Sequence, residues 1–373
     1  MANGSDIHPD LLVEIVKLLT ELDDFFAFSL VCRSWRLAAV QQSFRFNNYT
    51  KIPWLMYAPP AKATCRNHRR VFLDLSTGKT RPIMLPDHID GKSRCFSSKG
   101  WLITIAQDTT MRLFHPFACA EIKLPHVKTI KNWKNYEIDT MYAHFVKRCV
   151  LSSCPLSASD YTLMIIYGER RQLAYTKGGE KSWNTVRTLY DGFFDVIYYK
   201  HNFYAINSLG EIMILRGDNP SVAEKVAVVL PTMPYKLIER NGDNLYMVES
   251  VESLLVVRRK GVCNRGTYRA SKFQVFQVDL SNKTWTEVKS LGDRALFLGR
   301  NSSISVLCSS GGFNNCIYFT DDCSQNQVIL LKEGEDIGIY NMGDGRIKPY
   351  FEGHWYNRLN PSMWIELTFY IYN

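Results

Sequence analysis

The strongest constraint on this fold is a change of period. From residue 9 the apolar positions Leu11, Leu12, Ile15, Leu18, Leu19 and Leu22 recur at helical spacing, whereas beyond Phe46 the pattern changes to period two. That change predicts a small helical unit followed by a long succession of strands. Asp10 stands where a negative charge favours a first turn. Asp23 and Asp24 offer caps for a second helical run, in which Phe25, Phe28, Cys32 and Trp35 share one face. A unit this small cannot bury its own stripes, and each exposed leucine-sized side chain forgoes roughly 1.5 to 3 kcal/mol. Either the rest of the chain covers them or another protein does, and the second option makes the chain an adaptor.

Ile52-Pro53-Trp54-Leu55-Met56-Tyr57 reads as a first strand, ended by the rigid Ala58-Pro59-Pro60 turn. Short strands then alternate with turns such as Ser76-Thr77-Gly78, Gln107-Asp108-Thr109, Lys177-Gly178-Gly179 and Ser281-Asn282-Lys283, with no long helix between them. The pair Phe203-Tyr204-Ala205-Ile206 and Ile212-Met213-Ile214-Leu215 is echoed by Leu245-Tyr246-Met247-Val248 and Leu254-Leu255-Val256-Val257, an offset of 42 residues from Tyr204 to Tyr246. A period of about 40 to 45 residues with four short strands is that of a propeller blade. Trp183 and Trp285 each follow a strand and a turn, which predicts late blade strands whose indoles lie between sheets. The fold class is therefore mainly β: a small N-terminal all-α unit and then a β-propeller of six blades, seven being the alternative count. An irregular pair of β-sandwiches is the competing architecture. The boundaries read as 5–45 for the helices, 46–52 for a linker, 53–345 for the propeller and 346–373 for a C-terminal strand and tail that partly joins it.

These residues resemble a known family, the plant F-box proteins that carry a KIB-type β-propeller domain. The helical part resembles an F-box over Ile7 to Ala39, above all at Asp10-Leu11-Leu12, Ile15, Leu19 and Val31-Cys32-Arg33-Ser34-Trp35-Arg36. The propeller part resembles the family at Pro53-Trp54-Leu55-Met56-Tyr57, Gly100-Trp101-Leu102 and Leu151-Ser152-Ser153. Further matches are Phe203-Tyr204-Ala205, Leu254 to Arg259, Ser290 to Gly299 and Cys316 to Asp322. F-boxes commonly open with Leu-Pro, whereas here Ile7-His8 occupies that place and the proline follows at Pro9.

The resemblance implies a non-catalytic substrate receptor of an SCF (Skp, cullin, F-box) ubiquitin ligase. It would bind a Skp-type adaptor through Ile7, Pro9, Leu11, Leu12, Ile15, Leu19, Leu22, Val31, Cys32 and Trp35, and through that adaptor the cullin and RING subunits. The propeller would hold an unidentified target protein, with Arg258, Arg259 and Lys260 as candidate docking residues on a rim. Catalysis would be proximity, and no cofactor is expected. The cytoplasm, the nucleus or both follow as the expected compartment.

Charge and composition agree. The net +9 is spread over small clusters rather than one stripe, so nucleic acid is not an expected partner. Ten cysteines without a Cys-x-x-Cys pair predict reduced core residues rather than zinc ligands, and the N-terminus lacks a secretory leader's features. No apolar run approaches membrane-spanning length. The alternative function is a propeller hydrolase or small-ligand binder whose helices only cap the fold, with Asp195, Asp243, Asp293, Asp321 and Asp322 as its carboxylates. Each sits beside a turn, where Asp is favoured anyway. No Gly-x-Ser-x-Gly elbow occurs, and Glu180 breaks the phosphate-loop pattern at Lys177 to Ser182.

Overall fold

The computed structural model describes residues 7–20, 22–29, 31–42, 52–57, 69–86, 89, 93–117, 120–131, 133, 145–155, 160–228, 243–264, 267–308, 312–322, 336–349 and 362–368. The expected linker, apart from Ile52, and the Ala58-Pro59-Pro60 turn lie outside these residues. Three helices come first: α1 (Pro9–Leu18), α2 (Leu22–Ser29) and α3 (Arg33–Gln41), with α3 lying against both others. Pro9 occupies the first helical turn of α1, where its missing N–H is not needed, and the His8 side chain accepts the Asp10 N–H at 3.4 Å. The single second run expected from periodicity is in fact two helices. Phe28 on α2 and Trp35 on α3 still meet, with ring centroids 4.4 Å apart.

Among the described residues the strands form six sheets arranged as a six-bladed propeller. Blade one contains β1 (Trp54–Tyr57), β2 (Arg69–Leu73) and β3 (Thr80–Met84). Blade two is β4 (Arg94–Ser98), β5 (Trp101–Ile105), β6 (Met111–His115) and β7 (Ala120–Lys123). Blade three is β8 (Val146–Leu151), β9 (Thr162–Tyr167), β10 (Gln172–Lys177) and β11 (Asn184–Thr185). Blade four is β12 (Phe193–Tyr199), β13 (Asn202–Asn207), β14 (Glu211–Arg216) and β15 (Glu224–Val228). Blade five is β16 (Asn244–Ser250), β17 (Ser253–Asn264), β18 (Thr267–Asp279) and β19 (Thr284–Val288). Blade six is β20 (Arg294–Leu298), β21 (Ile304–Leu307), β22 (Cys316–Phe319), β23 (Gly338–Asn341) and β24 (Ile347–Pro349). The last strand, β25 (Met363–Ile365), returns to pair antiparallel with β1 and completes blade one.

Strands β25, β4, β8, β12, β16 and β21 touch in succession and ring the axis. Four of them start at Arg94, Val146, Phe193 and Asn244, so a blade occupies about 50 residues, the long end of propeller repeats. The 42-residue echo had matched β13 and β14 of blade four with β16 and β17 of blade five, one strand out of step. Trp183 is buried between blades two and three and donates its indole N–H to Pro125 O at 3.1 Å. Trp285 does not follow: β19 is the outermost strand of its sheet, and its indole is exposed.

Each pair of neighbouring blades encloses its own apolar cluster, because strands of an inner sheet bury both faces. The cluster between blades one and two is extended by the helices. Leu12, Val16, Phe25, Phe28, Ala38 and Ala39 pack into the same core as Trp54, Phe72, Phe117, Met363 and Ile365.

The C-terminal segment is fastened at three points. Trp364 is fully buried against Phe297, with its indole N–H donated to Leu298 O at 3.1 Å. Thr368 Oγ1 lies 3.1 Å from His115 Nε2. Gly100 has φ +76°, and a Cβ there would fall 1.8 Å from Thr368 Oγ1, so only glycine lets the segment pass this close.

Two tests follow from this clasp. Trp364→Ala should lower unfolding free energy by about 3 to 5 kcal/mol, read from urea denaturation; a loss below about 1 kcal/mol would mean that the ring closes without this strand. Burial holds the His115 imidazole down at about 3, below its ordinary 6.5. Between those values the unfolded chain binds a proton that the folded chain does not, so stability falls as pH is lowered through that window. The contribution lost by pH 5 is about 2 kcal/mol. His115→Gln should flatten the dependence of the urea midpoint on pH between 7 and 5, and parallel curves for the two proteins would refute the assignment.

Candidate functional site

Two regions gather side chains that could act on other molecules: the outer side of the helices and the end of the axis where the inner strands begin. On α1 the helical repeat produces two apolar stripes rather than one. Leu12 and Val16 are fully buried and Leu19 is half-buried, all within the core cluster that the three helices share with blade one. Leu11, Ile15 and Leu18, spaced i, i+4 and i+7, are 59%, 37% and 79% exposed. The two stripes are about 100° apart on the helix, and Asp10, Glu14 and Lys17 occupy the remaining arc. Val31 and Leu37 are exposed too.

The residues expected to bind an adaptor therefore divide. Leu11, Ile15 and Val31 are open to a partner, and Pro9 is exposed at the start of α1. Leu12 is not, because it is sealed in the core cluster that the helices share with blade one. Ile7, Leu19 and Trp35 are half-buried against the same core, and Cys32 is half-buried with its Sγ 3.1 Å from Ser34 Oγ. Leu22 opens α2, and its side chain lies outside the described structure. Leu18 and Leu37 were missing from the expected set. Leu18 follows Leu11 by two turns, so the signal was a second helical stripe beside the first.

Arg258, Arg259 and Lys260 do not form a rim loop. They lie within the long strand β17, and the charges of Arg258 and Arg259 are engaged by carboxylates. Arg258 donates to Asp243 Oδ2 at 2.6 Å. Arg259 is buried and forked between Asp322 Oδ1, at 2.7 Å, and Asp336 Oδ2. A guanidinium in an apolar surround must have carboxylate partners close by, and here it does. Lys260 is half-buried.

The candidate carboxylates are occupied in the same way. Asp195 lies 3.0 Å from Arg148 Nε and accepts the Val196 and Met247 N–H groups. Burial raises its carboxyl, opposed by Arg148 and those two donors. Asp322 accepts Asn244 Nδ2 at 2.8 Å and the Tyr246 hydroxyl at 2.6 Å besides Arg259. Burial first, and then the Asp322 charge, push the Tyr246 phenol well above its ordinary range, so it stays a donor. Arg148 also reaches across the axis to Gly299 O, and to Asn301 O at 3.1 Å. Asp293 is exposed, while Asp321 is buried. Among the described residues, no group of three or more His, Cys, Asp and Glu side chains could hold a metal ion, and Cys32, Cys95, Cys149, Cys154, Cys308 and Cys316 are not in disulfide bonds.

Residues 72–341 match the family model described as the KIB1-4 beta-propeller, and residues 5–47 match the F-box domain. The chain belongs to the KIB1-4 beta-propeller family, with an F-box domain ahead of the propeller. It is 25% identical over 355 residues to the F-box protein At2g26160 of Arabidopsis thaliana, covering 88% of this chain and 98% of the relative. Over 341 residues it is 26% identical to the F-box/kelch-repeat protein At1g57790 of that plant, covering 88% and 87%. Over 357 residues it is 22% identical to the Arabidopsis F-box/kelch-repeat protein KIB1, covering 92% and 86%. F-box and propeller together define an F-box substrate-recognition protein of the SCF type, a class of typically non-catalytic adaptors.

The buried network sets an expectation for mutagenesis. Arg259→Ala leaves Asp322 and Asp336 without their shared cation and should cost about 3 to 5 kcal/mol, whereas Lys260→Ala should change stability by less than about 0.5 kcal/mol. Urea denaturation of both variants checks this, and equal midpoints would rule out the assignment.

Proposed function

We propose that the outer stripe of α1 seats a Skp-type adaptor and that the propeller holds a target protein for ubiquitination, in the cytoplasm, the nucleus or both. One observation carries this reading. Leu11, Ile15 and Leu18 are exposed although the same helix already spends Leu12 and Val16 in the core. A helix that only capped the propeller would need the inner stripe and nothing more. The outer stripe is instead suited to helix-in-groove recognition, with Val31 and Leu37 as further exposed apolar side chains. Through the adaptor the chain would join cullin and RING subunits. Its contribution to ubiquitin transfer would be to raise the local concentration of target near a ubiquitin carrier bound elsewhere.

The test separates interface from core. Ile15→Asp and Leu18→Asp, each made in full-length protein, should weaken adaptor binding at least about 100-fold by calorimetry, since each places a charge on a surface that must be dry. The circular dichroism spectrum should not change. Leu12→Asp should instead disrupt the helices themselves, because that position is sealed. Undiminished adaptor affinity in the Ile15→Asp and Leu18→Asp proteins would exclude this surface as the interface.

A further inference from the structure

At one end of the axis, where β4, β8, β12 and β16 begin, the side chains of Arg94, Lys147, Arg148, Arg171 and Arg300 line a partly open recess of about 20 Å³ with Phe194, Asn244 and Asp322. Five cationic groups thus share one small space. Two buried carboxylates of this region are already engaged: Asp195 by Arg148 and two backbone N–H groups, Asp322 by Arg259, Tyr246 and Asn244. Glu169, which also acts on Lys147, is exposed.

Arg300 supplies the second, independent observation. It is 96% buried, and its Nε and Nη1 have no hydrogen-bond acceptor among the described residues. A buried guanidinium left this way is costly, and its donors are of the kind that bind a planar or tetrahedral oxyanion. The Arg171 guanidinium lies 4.4 Å over the Phe194 ring, which keeps it beside the recess. Like charges and burial act on Lys147 in the same sense. Burial first, and then Arg94, Arg171 and Arg300, pull its ammonium down to about 7. An anion placed among these groups would relieve every one of those costs.

We propose that this recess is an anion-binding site for a single phosphate-class oxyanion, with Arg300 and Lys147 as its principal donors. The space admits one end of such a group, and its remainder lies in the open mouth. The same chemistry can come from free inorganic phosphate or from a phosphate monoester on a larger molecule. Arg259 has a part in this site although it does not line it: by drawing off Asp322 it keeps a competing carboxylate from neutralising the wall.

The test uses the full-length protein in acetate buffer at constant ionic strength, with thermal unfolding followed as ligand is added. Inorganic phosphate should give a saturable rise in melting temperature. Phosphoserine, as the free amino acid, separates the sources: binding at least tenfold tighter than phosphate assigns the site to a monoester, and equal or weaker binding assigns it to the free ion. Both results support a phosphate-class site. Arg300→Gln should abolish the ligand-induced rise while leaving the melting temperature of the free protein unchanged or higher, because it removes two buried N–H donors that have no acceptor among the described residues. Arg300→Lys should retain a weakened response. Lys147→Gln offers a second variant should Arg300→Gln fold poorly. The proposal is overturned if sodium chloride at the same ionic strength gives an equal shift, if phosphate gives no saturable shift, or if the shift survives unaltered in folded Arg300→Gln or Lys147→Gln protein.

Discussion

Three residues near the C-terminus hold the ring shut. Without Met363-Trp364-Ile365 the inner edge of β1 would carry unpaired N–H and C=O groups beside the axis, and blade one would lack its inner strand. The alternation of side chains along this strand seals two interfaces at once. Met363 and Ile365 enter the core shared with blade two, while Trp364 enters the core shared with blade six. The helices then build on the first of these cores, so both ends of the described chain converge on one buried cluster. That convergence explains why a unit too small to bury its own stripes can remain folded.

Closure brings six inner strands together and leaves their axial side chains little apolar company. The chain sets long cations in and beside this space and answers some of them with carboxylates from other blades: Arg148 of blade three with Asp195 of blade four, Arg259 on the second strand of blade five with Asp322 and Asp336 beside the strands of blade six. Such pairs add little net stability over an apolar filling of the same shape, since desolvation offsets most of the attraction. Their geometry is nevertheless demanding. Each pair tolerates one relative placement of two sheets, and the reach of Arg148 to Gly299 and Asn301 ties blade three to blade six across the axis.

The architecture was legible in the sequence wherever a period could be read. The switch after Phe46, the strand and turn alternation and the count of six blades all appear in the structure, because two-faced burial imposes apolar strands regardless of which blade they serve. Order within a blade was not legible. Hairpins of β13 with β14 and of β16 with β17 present the same alternation, so an offset of 42 residues paired strands that hold different places in their sheets. Trp285 misled for a related reason: sequence marks it as a late strand residue like Trp183, but the Trp183 indole reaches Pro125 of the neighbouring blade whereas Trp285 meets Phe276 of its own sheet and stays exposed. Arg259 looked like a rim residue because nothing local announces its partners, Asp322 and Asp336, which are far along the chain. The axial cations were invisible for the same reason, each being a lone basic residue or one of the short pairs Lys147-Arg148 and Arg170-Arg171, far apart along the chain.

The helical unit poses the converse problem. Periodicity identified the apolar residues of α1 but could not say which of two adjacent stripes turns inward, since Leu11 and Leu12 are equally hydrophobic and differ by one step around the helix. The choice is made by packing elsewhere in the fold: α1 lies against α3, and Leu12 and Val16 join the cluster of Phe25, Phe28, Ala38 and Ala39 that continues into blade one. What remains outside is fixed by subtraction. On the proposed reading, a partner seated on Leu11, Ile15 and Leu18 would stand about one helix diameter, roughly 10 Å, from the core of blade one. A shared core between helix and blade limits how far that partner and the propeller can move relative to one another. Transfer by proximity depends on that restriction, because effective concentration falls as the space available to the two bodies grows.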